Sequence, residues 1–294
     1  MSPSKRLHAW LTAIRPRQWI KNGLVFVGLV FSLSLTDPTA VRRAVLAFVV
    51  LCALASSAYL INDAVDAPRD RLHPLKARRP IAAGLIAPAT AQRVAFALLL
   101  GALAVAWTLG EAFFLVGVGY LALTAAYTLW LKHVSIVDMF ALAAGFVLRA
   151  AAGAVVINVW ISPWLLLCTF LGALYIVTAK RRHELATLEE GAVAHRASLS
   201  AVTVPLLDEM MLITAACSIV IYSLYTISER PDRPPLLMLT IPLVMYGILR
   251  YRQLVLVGGL GGSPEEALLG DRPLLITVVL WALTSVAILY LAPR

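Results

Sequence analysis

The sequence predicts an all-α polytopic membrane protein, a helical bundle of about nine transmembrane helices. Its 294 residues are 61% hydrophobic and only 14% charged, with a mean hydropathy of +0.85, far too apolar for an ordinary soluble domain. A spanning helix needs roughly 20 predominantly apolar residues, and nine stretches approach that length. The polar residues gather in a few connections between those stretches, and no linker or break in composition divides the chain.

The chain opens on a basic segment, residues 1–21. Its Arg15-Pro16-Arg17-Gln18-Trp19 lacks the small-residue site at which a signal peptide is cut, so this end is expected to be retained. Apolar stretches follow at about 20–36, 43–61, 91–109, 112–130, 137–157, 161–179, 208–227, 235–249 and 273–291. Alternate connections are short, as at Gly110-Glu111. The others, at 62–90, 131–138, 180–207 and 250–272, are longer and hold nearly all the polar residues. Of the 25 Lys and Arg, 19 fall on the side of the N-terminal arm and these long connections, five fall on the other side, and Arg149 lies within a span. The bias predicts an inner (plasma) membrane protein with its long connections in the cytoplasm. The net charge of +9 is therefore a property of the cytoplasmic face. Cations that interrupt a bundle suit anionic lipid or a phosphorylated substrate, and nucleic acid is not an expected partner.

The first long connection is the most informative. It reads Asn62-Asp63-Ala64-Val65-Asp66-Ala67-Pro68-Arg69-Asp70, followed closely by Lys76, Arg78 and Arg79. If the helix continues, Asp63 and Asp66 share one face and Asp70 follows one turn later, so the three are expected to converge on one Mg²⁺. Mg²⁺ takes a few carboxylates plus substrate phosphate oxygens, and the adjoining cations suit the remaining phosphate charge. The alternative is a solvated helix end carrying mixed charges. Pro68 is expected to disturb the helix at Ala67 and weaken Asp70 as a ligand.

The second connection places Tyr127, Lys132, His133 and Asp138 ahead of Arg149. An Arg inside a span costs roughly 2.5–3.5 kcal/mol on insertion scales and should face a polar partner. Asp138, close to three helical turns earlier, lies on nearly the same face. A purely structural ion pair is the alternative to a binding role. The third connection opens Lys180-Arg181-Arg182-His183-Glu184, a pattern that also suits a topology anchor. Residues 185–207, with Glu189, Glu190, Gly191, His195 and Arg196, suggest a surface helix acting as a lid. Gly258-Gly259-Leu260-Gly261-Gly262 lacks the Lys-Ser/Thr of a phosphate loop and suggests a flexible turn. Cys52, Cys168 and Cys217 sit in apolar spans, and the five histidines show no zinc spacing.

Together these residues resemble the UbiA superfamily of intramembrane transferases, whose members have nine spans and an Asn-Asp-x-x-Asp-x-x-x-Asp signature after the second. Within it the pattern is similar to the decaprenyl-phosphate phosphoribosyltransferases. The likeness rests on the segment from Arg15 through Lys21 and Asn22, on Asp70-Arg71-x-His73-Pro74-x-Lys76-x-x-Arg79-Pro80, on Gly145-Phe146-Val147-Leu148-Arg149, on Lys180-Arg181-Arg182-x-Glu184, on His195-Arg196 and on Pro264-Glu265-Glu266. The aromatic prenyltransferases of the superfamily carry a second aspartate-rich motif where this chain has cations at 180–182.

The resemblance implies one integral-membrane transferase domain over 1–294 that moves a 5-phosphoribosyl group from phosphoribosyl diphosphate to a polyprenyl (decaprenyl) phosphate, feeding cell-wall arabinan synthesis. Asp63, Asp66 and Asp70 would hold Mg²⁺ on the diphosphate, with Tyr59 and Asn62 orienting it. Lys21, Lys76, Arg78, Arg79, Tyr127, Lys132, Asp138, Arg149, Lys180, Arg181 and Arg182 would bind the two anionic substrates. An aromatic-acceptor prenyltransferase and, more remotely, a transporter or lipid-binding protein are the competing expectations. Oligomeric state and chain length of the lipid are open.

Overall fold

In a computed structural model describing residues 3–72, 76–187, 197–199, 201–228 and 236–291, every regular element is helical. Eleven α-helices are described: α1 (Pro3–Ile14), α2 (Val25–Phe31), α3 (Pro38–Asp70), α4 (Pro88–Leu109), α5 (Glu111–Leu129), α6 (Val137–Val156), α7 (Pro163–Thr187), α8 (Val204–Ser228), α9 (Ile241–Leu256), α10 (Pro264–Gly270) and α11 (Arg272–Leu291). Seven of these, α3 to α8 and α11, are long and apolar enough to cross a membrane. The expected count of nine is not reached among the described residues. The stretch at 20–36 is broken into a 3-10 segment (Pro16–Leu24) and the seven-residue α2, which stops at a turn with Leu33 at φ 62°. The stretch at 235–249 divides into a 3-10 turn (Leu236–Thr240) and the 16-residue α9, with a proline in its first turn.

The chain forms two compact units, residues 1–124 with 148–160, and 125–147 with 161–294. In the first, α3 is the axis. Asp37 caps it, its carboxylate accepting from the Thr39 amide at 2.8 Å, and Pro38 pre-sets the first turn. At 1.5 Å per residue its 33 residues run about 50 Å. That exceeds the roughly 30 Å of a bilayer core, so one polar end must project from the apolar layer. Leu51, Leu54, Phe113, Tyr120 and Val156 fill the middle of this unit with the alanines of α4. Near the other end α1, α3 and α4 approach through Ala9, Ala13, Ala64, Ala67, Ala91 and Ala95, small residues that permit close helix packing. Glycines let α2 and α6 meet backbone to backbone. A Cβ at Gly153 would stand 1.8 Å from the Val25 carbonyl oxygen, and one at Gly28 would stand 2.9 Å from the Ala154 amide. Arg43 donates to the carbonyls of Leu109 and Val156, satisfying the C-terminal ends of α4 and α6 with one cation.

In the second unit α7 packs along α8, with Leu174, Val177, Leu207 and Met139 between them. Two buried tyrosine hydroxyls find partners: Tyr175 donates to the Ile248 carbonyl at 2.8 Å, and Tyr222 meets Thr240 at 2.6 Å and the Trp281 indole at 2.8 Å. Arg250 of α9 grips Asp271 with two nitrogens, at 3.2 and 2.7 Å, while Asp271 accepts from the Leu274 amide and caps α11. The Arg250 guanidinium pulls the Asp271 carboxyl below its ordinary value. Within the glycine run at 258–262, Gly259 makes an exposed turn at φ 66°, while Gly261 and Gly262 are packed. A Cβ at Gly261 would reach the Ala179 carbonyl at 2.8 Å, and one at Gly262 would enter the His183 ring.

Candidate functional site

The polar end of α3 is shaped by the packing beneath it. Leu60, Ala64 and Ala67 lie on one face against Ala13, Ile81, Ala91 and Ala95. The adjoining face carries Asp63 and Asp70, both buried, and Asp66, which is half-exposed. The helix runs through Pro68 to Asp70, contrary to the expectation that the proline would disturb it. The missing N–H forfeits one bond in the last turns, where packing of Ala64 and Ala67 holds the backbone.

The carboxylates do not converge on one another as the sequence suggests. Among the described residues no three Asp, Glu, His or Cys side chains are gathered closely enough to hold a metal ion. Guanidinium groups stand between them. Arg15 donates through Nη2 to both Asp63 oxygens, at 2.7 and 2.8 Å. Arg79 donates through Nη1 to Asp63 Oδ1 at 3.0 Å and to Asp70 Oδ2 at 2.8 Å, bridging two carboxylates about two helical turns apart. Asp66 forms no ion pair among the described residues. Arg15 is held in place from several sides. Its backbone is left-handed at φ 55°, its guanidinium lies 4.9 Å from the Tyr59 ring centroid, and the adjoining segment is latched to α3. In that latch the Trp19 indole donates to Ser56 Oγ, which donates to the Ile14 carbonyl, each at 3.0 Å.

The remaining expected residues of this unit are placed around that network. Lys21 donates to Gln18 at 2.6 Å, Asn62 is half-buried, and Lys76 and Arg78 are exposed on a 3-10 turn while Arg79 turns inward. Buried Arg149 donates to Asn22 Oδ1 at 2.8 Å and to the Tyr120 hydroxyl at 2.9 Å.

In the second unit Asp138 serves Arg181. The two are almost fully buried, with side chains 2% and 3% exposed, and join at 2.8 Å. Arg181 also donates to Glu184 at 2.8 Å and to the Tyr127 hydroxyl at 3.4 Å. Thus the face shared by Asp138 and Arg149 does not decide their partners: each is held by residues from other helices. Arg182 pairs with Asp208, Lys132 is half-buried and Lys180 is exposed. His73, His195, Arg196 and the part of the expected 185–207 lid at 188–196 and 200 lie outside the described residues. Within that stretch a 3-10 turn, Ala197–Leu199, receives the Ser135 hydroxyl on the Ser198 carbonyl at 2.6 Å.

The sequence reading missed Arg15, Asn22 and Tyr120. Arg15 and Asn22 stand in a motif that the sequence singles out, but only Lys21 of that motif is expected to bind substrate. Only the fold, joining residues 48 apart, shows Arg15 on the carboxylates.

The UbiA prenyltransferase family matches residues 23–258 of this chain. The chain belongs to the UbiA prenyltransferase family. A decaprenyl-phosphate phosphoribosyltransferase of Mycolicibacterium smegmatis is 35% identical over 98% of this chain and 94% of its own length. One from Mycobacterium tuberculosis is also 35% identical, over 96% and 94%. Among solved structures, a UbiA homolog from Archaeoglobus fulgidus bound to GPP and Mg²⁺ matches with a TM-score of 0.73 at 19% identity, covering 96% of this chain and 99% of that one. The all-helical UbiA fold follows, and with it a multi-pass membrane transferase.

Hard carboxylate oxygens fit Mg²⁺, which binds through one or two carboxylates plus substrate phosphates rather than in an all-protein cage. In this UbiA-family chain Asp66 offers an oxygen pair outside the ion-pair network, while Asp63 pairs with Arg15 and Arg79 and Asp70 with Arg79.

Proposed function

We propose that this UbiA-family transferase moves the 5-phosphoribosyl group of phosphoribosyl diphosphate onto a polyprenyl phosphate at the cytoplasmic face of the plasma membrane and releases diphosphate. The observation that carries the reading is near-full-length likeness, at 35% identity, to proteins named decaprenyl-phosphate phosphoribosyltransferase. The chain's own chemistry supports it. Its acidic helix end is interleaved with Arg15 and Arg79, and cations stand at 180–182. A donor with about four to five negative charges and an acceptor with up to two require such an excess.

In this proposal Asp66, with Asp63 and Asp70, holds Mg²⁺, which when bound would neutralise charge on the departing diphosphate. Tyr59 and Asn62 orient the donor. Arg15, Arg79, Lys76 and Arg78 take phosphate oxygens on the first unit; Lys132, Lys180 and Arg182 offer cations on the second, and Lys21 and Arg149 add positive charge to the first. Asp138, Glu184 and Tyr127 hold Arg181 in one orientation. The bond from ribose C1 to the diphosphate oxygen breaks and a bond from C1 to an acceptor phosphate oxygen forms. A phosphate monoester, with a second pKa of about 6, is already ionised near neutral pH, so no side chain need remove a proton. Prepositioned cations meet the charge that grows on the leaving group. The product would be a lipid-linked ribose phosphate, a suitable precursor for cell-wall arabinan.

The test is to give purified protein in lipid vesicles labelled phosphoribosyl diphosphate and decaprenyl phosphate. A labelled lipid that yields ribose phosphate on mild acid hydrolysis is expected. Transfer of a prenyl group from an allylic diphosphate to an aromatic acceptor, without that lipid, would overturn the reading in favour of an aromatic prenyltransferase.

A further inference from the structure

Arg15 and Arg79 are arranged in a way that a structural ion pair does not need. Each engages the carboxylates through a single nitrogen, so among the described residues most of the five-donor fork on each guanidinium is left for another acceptor. The arginine side chains are 30% exposed while Asp63 and Asp70 are 6% exposed, so the cations lie over the acids on the open side. Arg15 holds this position from a left-handed backbone, a conformation uncommon for a residue other than glycine and concentrated at ligand clamps. The ring of Tyr59 supports its guanidinium, and the Trp19–Ser56–Ile14 hydrogen bonds fix the segment it leaves from.

A divalent cation brought to Asp63 competes with two guanidinium groups for the same oxygens. A diphosphate competes with the same carboxylates for the same guanidinium groups. Metal alone therefore strands the arginines, and diphosphate alone, on their free donors, crowds its charge against the carboxylates. Both together exchange every partner, metal for guanidinium on the acids and phosphate for carboxylate on the arginines.

We propose that Arg15, with Arg79, is a donor-binding residue that trades Asp63 for a donor phosphate as the metal binds, making metal and diphosphate bind as one cooperative unit. The proposal rests on the reading that this end of α3 receives a Mg²⁺-diphosphate, and it adds the residue and the coupling. Linkage is reciprocal, so the metal must tighten diphosphate by the same factor that diphosphate tightens the metal.

The two roles of Arg15 predict effects of opposite sign. Calorimetric titrations of the full chain in nanodiscs with Mg²⁺ alone, inorganic diphosphate alone, and each in the presence of the other give both affinities and the coupling. For the wild-type chain a coupling of about tenfold or more is expected, within the usual 5- to 150-fold range. Arg15→Gln should bind Mg²⁺ alone as tightly or several-fold more tightly. It should bind diphosphate in saturating Mg²⁺ at least about tenfold more weakly, with the coupling collapsing toward unity. Arg79→Gln, from a different segment, should show the same opposed pair and answers the question if Arg15→Gln does not fold. Arg17→Gln, an exposed neighbour, should match wild type. Parallel loss of both affinities in the arginine variants, or no change in either, would overturn the exchange. If the wild-type chain shows no Mg²⁺-dependent diphosphate binding, the donor site itself is misassigned and the exchange falls with it.

Discussion

Asp63 and Asp66 are three residues apart on one helix, yet substitution should affect them differently. Asp63 is buried and neutralises two guanidinium groups, so Asp63→Asn should lower thermal stability in detergent, by about 2–4 kcal/mol, besides abolishing Mg²⁺-dependent turnover. Asp66→Asn should leave the melting temperature within about a degree of wild type while turnover falls at least about a hundredfold across all Mg²⁺ concentrations. Unchanged turnover in both variants would discard the metal assignment. The same reasoning separates Asp138 from Lys180. Asp138→Ala strands the buried Arg181 with Glu184 as its remaining carboxylate and should destabilise by about 3 kcal/mol. Lys180→Gln, exposed, should raise KM for an anionic substrate with no loss of stability, as read by melting curves beside initial rates. The acidic spacing was legible because it is local: three aspartates within eight residues share a helix whatever surrounds them. The partners of those aspartates were not. Asp63 finds Arg15 across 48 residues, and Asp138 finds Arg181 across 43. Spacing along one helix proposed Arg149 for Asp138, but a side chain that is buried bonds to what the neighbouring helices present.

At the scale of elements, packing explains both what the hydropathy pattern captured and where it broke. Long uniform runs such as α3, α4 and α11 emerge where expected because the length of an apolar run fixes them. The stretch at 20–36 is equally apolar in part but is interrupted: the 3-10 segment entering it from Pro16 sets Asn22 on Cys52 of α3, and Arg15, just before that segment, reaches Asp63. The α2–α6 contact is expected to be intolerant. Gly153→Ala puts a methyl carbon into the Val25 carbonyl, backbone against backbone with no side chain to yield. It should cost at or above the upper end of the roughly 1–3 kcal/mol of ordinary overpacking, seen as a large drop in melting temperature, and should weaken diphosphate binding by displacing Asn22 from Arg149. The α9–α11 clip predicts a pH dependence. The Asp271 carboxyl titrates below its ordinary value because Arg250 holds its ionised form. The stabilisation is therefore complete above the unfolded carboxylate range and is lost as pH falls through the lowered folded value. Melting temperature should hold through mild acid and fall only below about pH 4. In Asp271→Asn that component of the acid-side fall should be missing.

For the whole molecule the decisive quantity is which way the chain faces, because phosphoribosyl diphosphate is a cytosolic donor only if the carboxylate end of α3 is cytoplasmic. Within the first unit the two ends are chemically distinct. Asp37 begins α3 at the end where Arg43 meets the last carbonyls of α4 and α6, and Asp63, Asp70 and Arg79 lie at the other end. In the sequence, nineteen of the 25 Lys and Arg fall in or beside the N-terminal arm and the long connections. On the positive-inside rule we propose that Lys76 lies in the cytoplasm and Trp160, just beyond α6, on the outer face. Both side chains are exposed, so each supports a labelling test. In a background with Cys52, Cys168 and Cys217 replaced by serine, Trp160→Cys should react with a membrane-impermeant maleimide in intact cells. Lys76→Cys should react only after permeabilisation. The reverse pattern would put three aspartates and their arginines outside the cell, where no phosphoribosyl diphosphate is made. It would remove the proposed donor while leaving the UbiA fold untouched.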